Sequence, residues 1–396
     1  MSARRLGLSL GMATFVGLVI MFSIIPLVAT IASDLGTSAA AVGQALTVGA
    51  LAGASLALIV GPAGDHYGHR RLLITGALIA AVGTLIGALA PNYWVFLLSR
   101  IPAGLGGAVM GTMAMATVAA RLTDNERRIA ISWVVSAASI APLAGFPLMT
   151  EIAARTDWRV SLMALSGLCI AGAVLVYRIV PPDEIWPDAP FVWHRAFEAY
   201  MPILRDSTSV LLQMSNVLRA TGAFAIFGYL GAYLIEVAGV SLQVTGYVFL
   251  AAGVGYLVGT RFGDGSIIPL PLRSFSALAT LSCGIALAAP LVLSLGWVST
   301  AALAVAAHLG VASGFIALTI LIVEESPAGS STTLTLRQFG FNIGIASGGA
   351  LGGVILTIGG FPTLGVVGIL LTAAAAIAVY MAPVTAPRPA STPEPG

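Results

Sequence analysis

Gly61-Pro62-Ala63-Gly64-Asp65-His66-Tyr67-Gly68-His69-Arg70-Arg71 separates two long apolar runs, one ending at Val60 and the other beginning at Leu72. Small residues, one acid and a basic pair occupy a stretch too brief for a loop with structure of its own. It reads as a hinge between two membrane spans. Its glycines allow close backbone approach, and its arginines suit a cytoplasmic face.

The rest of the chain is consistent with that solvent. Of 396 residues, 58% are hydrophobic and only 9% charged, and mean hydropathy is +0.98, far from an ordinary soluble domain. At about 20 residues per span, apolar runs predict twelve helices near 6–33, 43–64, 72–90, 94–120, 129–154, 159–180, 209–236, 242–262, 274–295, 299–323, 333–358 and 361–382. The run after Arg4 and Arg5 is too long for a signal peptide and reads as the first span. With the N-terminus inside, Arg155 and Arg159 face outward, Arg100 and Arg219 fall within spans, and every other arginine is cytoplasmic. That bias orients the chain with both termini in the cytoplasm. Trp94, Trp158 and Trp297 mark the outer ends as an interfacial belt. A formal net charge of +2 gives no reason to expect a nucleic-acid partner. The absence of lysine has two readings, codon bias or contacts to phosphate or carboxylate. Cys169 and Cys283 lie inside apolar runs, so no disulfide is expected.

A break at 181–208, with an amphipathic segment over Phe191–Tyr200, divides the spans into six and six. The expected organisation is a first bundle at 1–180, a cytoplasmic linker at 181–208, a second bundle at 209–382 and a disordered tail at 383–396. Gly259-Thr260-Arg261-Phe262-Gly263-Asp264 reads as an eroded second copy of the hinge, half a chain later. Small residues crowd the fifth and eleventh spans at similar places in their halves.

The pattern Gly-x-x-x-Asp-x-x-Gly-x-Arg-Arg resembles the loop between helices two and three of the major facilitator superfamily. His66 stands where that family usually has a base. Pro26–Gly36, Arg100–Ala108, Asp157-Trp158-Arg159 and Asn342–Ala346 resemble bacterial drug, sugar, nucleoside and arabinose-type efflux permeases. Ala141–Pro147 is similar to the antiporter motif in a degraded form. The resemblance implies an all-α membrane protein with twelve transmembrane helices in two pseudo-symmetric six-helix bundles. It further implies a gate formed by Gly61, Gly64, Asp65, Gly68, Arg70 and Arg71, with Asp65 facing the positive end of the eleventh helix.

An ionisable group inside a bilayer costs at least about 2.5 kcal/mol on insertion scales and is a site candidate by default. Arg100 and Arg219 enter from opposite halves, and no acid occupies the middle of any span. The expected substrate site therefore joins Arg100 and Arg219 around an anionic group, with Asn216, Tyr229 and Asn342 adding hydrogen bonds and Phe22 and Phe224 an apolar body. For Arg219 a second reading stands, snorkelling to the headgroups. Asp34, paired with Arg100, is the expected proton carrier, with Glu151 and His308 in reserve. Glu151 also has a bland reading, an ion pair with Arg155.

No nucleotide-cradling motif, enzymatic constellation or metal-ligand spacing is present in the sequence, so no cofactor is expected. The function expected is export of a small organic solute by alternating access, coupled to protons, by a monomer in a bacterial inner membrane. The alternatives are an anion uptake symporter or exchanger of the same fold, and, from another class, a membrane sensor or lipid-handling enzyme.

Overall fold

A computed structural model describes residues 3–122, 124–183, 197–264 and 267–383. The described residues contain helices and no strand, as a bilayer demands of any chain that does not close a barrel, because backbone N–H and C=O groups have no water to bond. In chain order they are α1 Ala3–Asp34, α2 Ala39–Ala57, α3 His69–Ala88, α4 Tyr93–Arg121, α5 Glu126–Arg155, α6 Trp158–Ile179, α7 Ser207–Glu236, α8 Leu242–Gly259, α9 Leu272–Leu293 and α10 Trp297–Glu324. The last helical stretch, Ser330–Met381, turns over at Gly360, whose φ of 69° only glycine adopts readily, just before Pro362. It is therefore two spans, α11 (330–359) and α12 (361–381). Twelve spans in two six-helix bundles result.

Three helices break where a cavity needs them to. α1 tightens into a 3-10 turn at Ile25–Leu27, around Pro26. α5 widens into a π turn at Ala141–Gly145, around Pro142, whose missing N–H removes one rung of the ladder. α7 interrupts at Gly228–Tyr229, between Phe227 and Leu230. The broken ends of α1 and α7 meet: a Cβ on Gly231 would stand 2.5 Å from the Ile25 carbonyl oxygen.

Within each bundle, glycines let helix backbones touch, which drives association where lipid removes the hydrophobic incentive. In the first, a Cβ on Gly104 of α4 would lie 2.1 Å from the Gly49 carbonyl oxygen of α2; in the second, one on Gly255 of α8 would lie 2.2 Å from that of Val305 in α10. This is the same helix pairing repeated. Gly104→Ala is accordingly expected to lower the melting temperature of the purified protein, since overpacking costs about 1–3 kcal/mol even where side chains can yield, and here backbone must move. Gly111, also in α4, has open space around its Cβ position, so Gly111→Ala is the control. Equal melting curves for the two variants would refute the close-packing argument.

The hinge differs from its expected form. It is helical over Val60–Tyr67, after α2 ends at Ala57. Gly61 has open space, Gly64 faces Met113 of α4, and Gly68 takes φ +96 with Asp183 against it. Asp183, beyond α6, is the unforeseen centre of this corner. Its carboxylate accepts from the backbone N–H of Arg70 at 3.1 Å and of Arg71 at 3.4 Å, and from Arg121 Nη2 at 2.6 Å. Arg70 in turn donates to the Tyr177 carbonyl at 2.5 Å and lies over the Tyr177 ring. The second bundle ties the corresponding helices with roles reversed. Arg273, in the first turn of α9, pairs with Glu325 beyond α10 and donates to the Ala382 carbonyl after α12.

Trp94 and Trp297 are exposed as an interfacial belt requires, but Trp158 is 2% exposed and packs edge-on against Phe96. Tyr200 donates to the Leu58 carbonyl, where α2 breaks. Most of the segment expected to be amphipathic, and nearly all of the tail, lie outside the described residues. So does the side chain of Asp65.

Candidate functional site

Between the bundles lies a cavity of about 330 Å³. Its walls come from α1 (Leu18, Met21, Phe22), α5 (Ala138, Ala141, Pro142, Phe146), α7 (Arg219, Ala220, Ala223, Phe224, Phe227), α8 (Tyr256), α9 (Leu287), α10 (His308, Val311, Phe315) and α11 (Gln338, Phe341). Ala141 and Pro142 of the π turn and Phe227 just before the break in α7 all line this space. The first half contributes only apolar surface. Every polar lining group, Arg219, Tyr256, His308 and Gln338, comes from the second.

Aromatic rings form much of the wall. Phe22 and Phe224 stack across the two halves, with centroids 5.3 Å apart and planes 14° from parallel. Phe224 then meets Phe227 and Phe341 edge-on. Both phenylalanines named from sequence are therefore in the cavity and in contact. Such faces accept an apolar or aromatic body and the electron-poor C–H groups of a ring.

Arg219 is 4% exposed. Its Nε and Nη2 have no hydrogen-bond partner, and its guanidinium lies 5.4 Å from the Phe315 ring centre. No carboxylate lines the cavity. His308 lies in the wall against Phe227, 4.8 Å between centroids. Its Nδ1 is 2.9 Å from the Ala304 carbonyl; a carbonyl only accepts, so Nδ1 carries the hydrogen and Nε2 keeps its lone pair.

The remaining residues expected at the site lie elsewhere. Arg100 is 2% exposed, donates to the Ile20 carbonyl at 3.1 Å, and does not line the cavity. It buttresses α1 just before its broken turn. Asp34 pairs with Arg159, which also reaches the Ala90 carbonyl, and so does not meet Arg100. Glu151 pairs with Arg155 at 2.5 Å, one turn on, at the same end of the bundle. Tyr229 donates to the Gly349 carbonyl at 2.7 Å and is fully buried in the seam between bundles. Asn342 accepts from Gln338 at 3.2 Å, beside the cavity. Asn216 donates to the Arg337 carbonyl at 2.8 Å, behind it.

The seam between bundles follows one pattern. Gln44 and Thr47 of α2 donate to the carbonyls of Gly349, Ala350 and Ala346 of α11. Gly246 of α8 abuts Thr150 of α5, and Gly253 abuts Leu143. These contacts run from the end of the molecule bearing Asp34 to its middle, so the cavity is sealed on that side.

The family model for the Major Facilitator Superfamily matches residues 10–334. The chain belongs to that family, whose members are transporters rather than enzymes. It is 24% identical to the putative transporter AraJ of Escherichia coli K12, over 90% of this chain and 89% of that protein. It is 23% identical to a probable sugar efflux transporter of Helicobacter pylori G27, over 76% and 75% respectively. Among solved structures, a bacterial homolog of the human lysosomal transporter Spinster superposes with a TM-score of 0.73 at 15% identity, covering 95% of this chain and 96% of that one. The nucleoside transporter NupG superposes at 0.70 and 12% identity, covering 95% and 98%. The twelve-helix, two-bundle fold is thus shared with known transporters of the family.

Nothing in the sequence singles out Tyr256, Phe315 and Phe227, because a cavity-facing aromatic looks like a lipid-facing one inside an apolar run, and Gln338 carries no charge to mark it as Arg219 is marked. Arg337, which the sequence reading counts among the cytoplasmic arginines, is buried, 8% exposed.

Proposed function

We propose that this chain is a secondary active exporter of a small organic solute bearing an acidic group on an apolar body, and that protons entering the cell drive it. The observation that carries this reading is Arg219, a buried guanidinium without a partner in an aromatic cavity that holds no carboxylate. Arginine remains charged at such a site, and an anion satisfies it better than any neutral group. The bundle boundaries read from sequence, 1–180 and 209–382, give two bodies that rock about the cavity. The arginine bias puts both termini in the cytoplasm of a bacterial cell, so the sealed end faces outward and the cavity loads from the inside. His308 is the proton carrier in this scheme, its free Nε2 lying in the same wall as Arg219. Asp34 and Glu151, each already paired at the outer face, are not needed for it.

A second reading, a neutral sugar, draws on the names of the Helicobacter relatives and on the stacked Phe22–Phe224 pair, to which the C–H face of a sugar ring can pack. Counterflow in proteoliposomes separates the two. Matched anionic and neutral solutes are to be exchanged by wild type and Arg219→Gln, with and without a pH gradient. The expected result is preferential anion exchange that Arg219→Gln lowers by about tenfold or more, as for a lost charge-assisted hydrogen bond of about 1.5–3 kcal/mol. Uphill movement should follow the pH gradient and disappear in His308→Gln. Equal exchange of the neutral solute, untouched by Arg219→Gln, would select the sugar reading.

A further inference from the structure

Behind the Arg219 wall sits a second buried cation that the cavity does not expose. Arg337, on α11, precedes the cavity-lining Gln338, is 8% exposed, and has no hydrogen-bond partner at Nε or Nη1. Its guanidinium lies 4.4 Å from the centre of the Phe315 ring, the same ring that Arg219 approaches at 5.4 Å. Beside Gly340, one turn along α11 from Arg337, stand two side chains of uncommitted hydrogen-bonding capacity: Gln213, with both amide atoms unpartnered, and Asn216, with its Oδ1 unpartnered. Two like charges against one ring in a low-dielectric interior repel, and among the described side chains no acid pairs with either. Burying even one unpaired charge is expensive, so a doubly unpaired cluster points to a ligand. We propose that Arg219 and Arg337 form one anion-binding site in the second bundle, reached from the cavity past Phe315, and that it takes a dianionic head group of the phosphonate or phosphomonoester class.

The chemistry follows from the donor set. Arginine presents its N–H groups as a planar fork that matches two oxygens at once. Two forks, each spanning two oxygens, engage all three oxygens of a tetrahedral head by sharing one of them, and an amide such as that of Gln213 can add a further bond. A planar carboxylate fills one fork and leaves the other arginine uncompensated. Phe315 lies between this site and the cavity, with both cations against its ring. This proposal rests on reading the central cavity as the transport site, and it narrows the substrate's acidic group from an anion in general to a dianion.

The test is a binding titration of the purified full chain, at mildly alkaline pH, with phenylphosphonate, benzoate and benzamide, which share one apolar body. Wild type is expected to bind phenylphosphonate about tenfold or more tighter than benzoate, one further charge-assisted hydrogen bond's worth, and benzamide weakest. Arg337→Gln should erase the phosphonate advantage and leave benzoate affinity within severalfold. Arg337→Lys, which keeps the charge and loses the fork, should retain part of that advantage, and it decides the matter if the glutamine variant does not fold. Phenylphosphonate binding no tighter than benzoate in wild type, or an advantage that survives Arg337→Gln, overturns the proposal. A protein that shows the expected binding pattern but exchanges no solute in proteoliposomes would overturn the transport reading and leave this site standing.

Discussion

Asp183→Asn is expected to be the most destabilising single polar substitution at the hinge end of the molecule. The carboxylate has a side chain only 2% exposed and pairs with Arg121 at 2.6 Å, whose own side chain is 20% exposed. It also accepts the N–H groups of Arg70 and Arg71, in the first turn of α3, where the helix leaves donors unsatisfied and presents its positive end. Asparagine preserves the shape and one acceptor but removes the charge, leaving Arg121 without its counter-ion. Removing one partner of a buried pair costs about 3–5 kcal/mol, enough to lower the melting temperature clearly and to loosen α3, α4 and α6 from one another. Arg121→Gln alone should cost less, because the N–H groups still neutralise Asp183, and the double variant should cost less than the two singles added together. A melting temperature unchanged in Asp183→Asn, or strictly additive singles, would show that this corner is held by apolar packing alone.

The hinge stretch made the fold legible because its constraint is local. Gly68 must adopt a positive φ, two arginines must follow, and an apolar span must begin at once, so eleven consecutive residues carry the signal. What fills the corner was not legible. Asp183 is far away in sequence, in a segment whose prolines and acids read as linker, and nothing local says that a carboxylate there folds back onto α3. The same limit applies to the site. Phe22 and Phe224 are named from sequence as an apolar body for the solute, and they stack in the cavity. Arg100 and Arg219 were flagged by identical reasoning, as charges inside apolar spans, yet they have different surroundings. Arg100 meets a carbonyl beside a broken turn, whereas Arg219 faces the cavity. Hydropathy gives the depth of a side chain and is silent on its azimuth around the helix. Tyr229 shows this most plainly: its hydroxyl was expected at a solute and instead anchors the seam, because glycines on two other helices leave a slot for its ring.

That slot yields the second large effect. A Cβ on Gly43 of α2 would lie 2.1 Å from Cε1 of Tyr229, and those on Gly352 and Gly353 of α11 would lie 2.6 and 2.8 Å from the same side chain. Tyr229 cannot retreat, since its hydroxyl is fixed on the Gly349 carbonyl. Gly43→Leu therefore prevents the two bundles from closing on the Asp34 side. It disturbs neither bundle's own core, because the contact lies between the bundles, at the seam that the proposed rocking cycle would part. A penalty of about 1–3 kcal/mol on the closed state shifts the conformational equilibrium about five- to 150-fold. Counterflow should fall by at least about tenfold, while the purified protein still elutes as a single species. Thr47→Cys reports the seam directly: Thr47 bonds across it to the Ala346 carbonyl, and the native Cys169 and Cys283 are buried and give little background. With Gly43→Leu added, a membrane-impermeant maleimide should label that cysteine several times faster than in its absence. Truncating the obstructing ring with Tyr229→Ala should restore both closure and part of the transport. Wild-type counterflow in Gly43→Leu, or a Thr47→Cys label rate that does not change, would mean that the seam is not the moving surface and that the bundles part along another line.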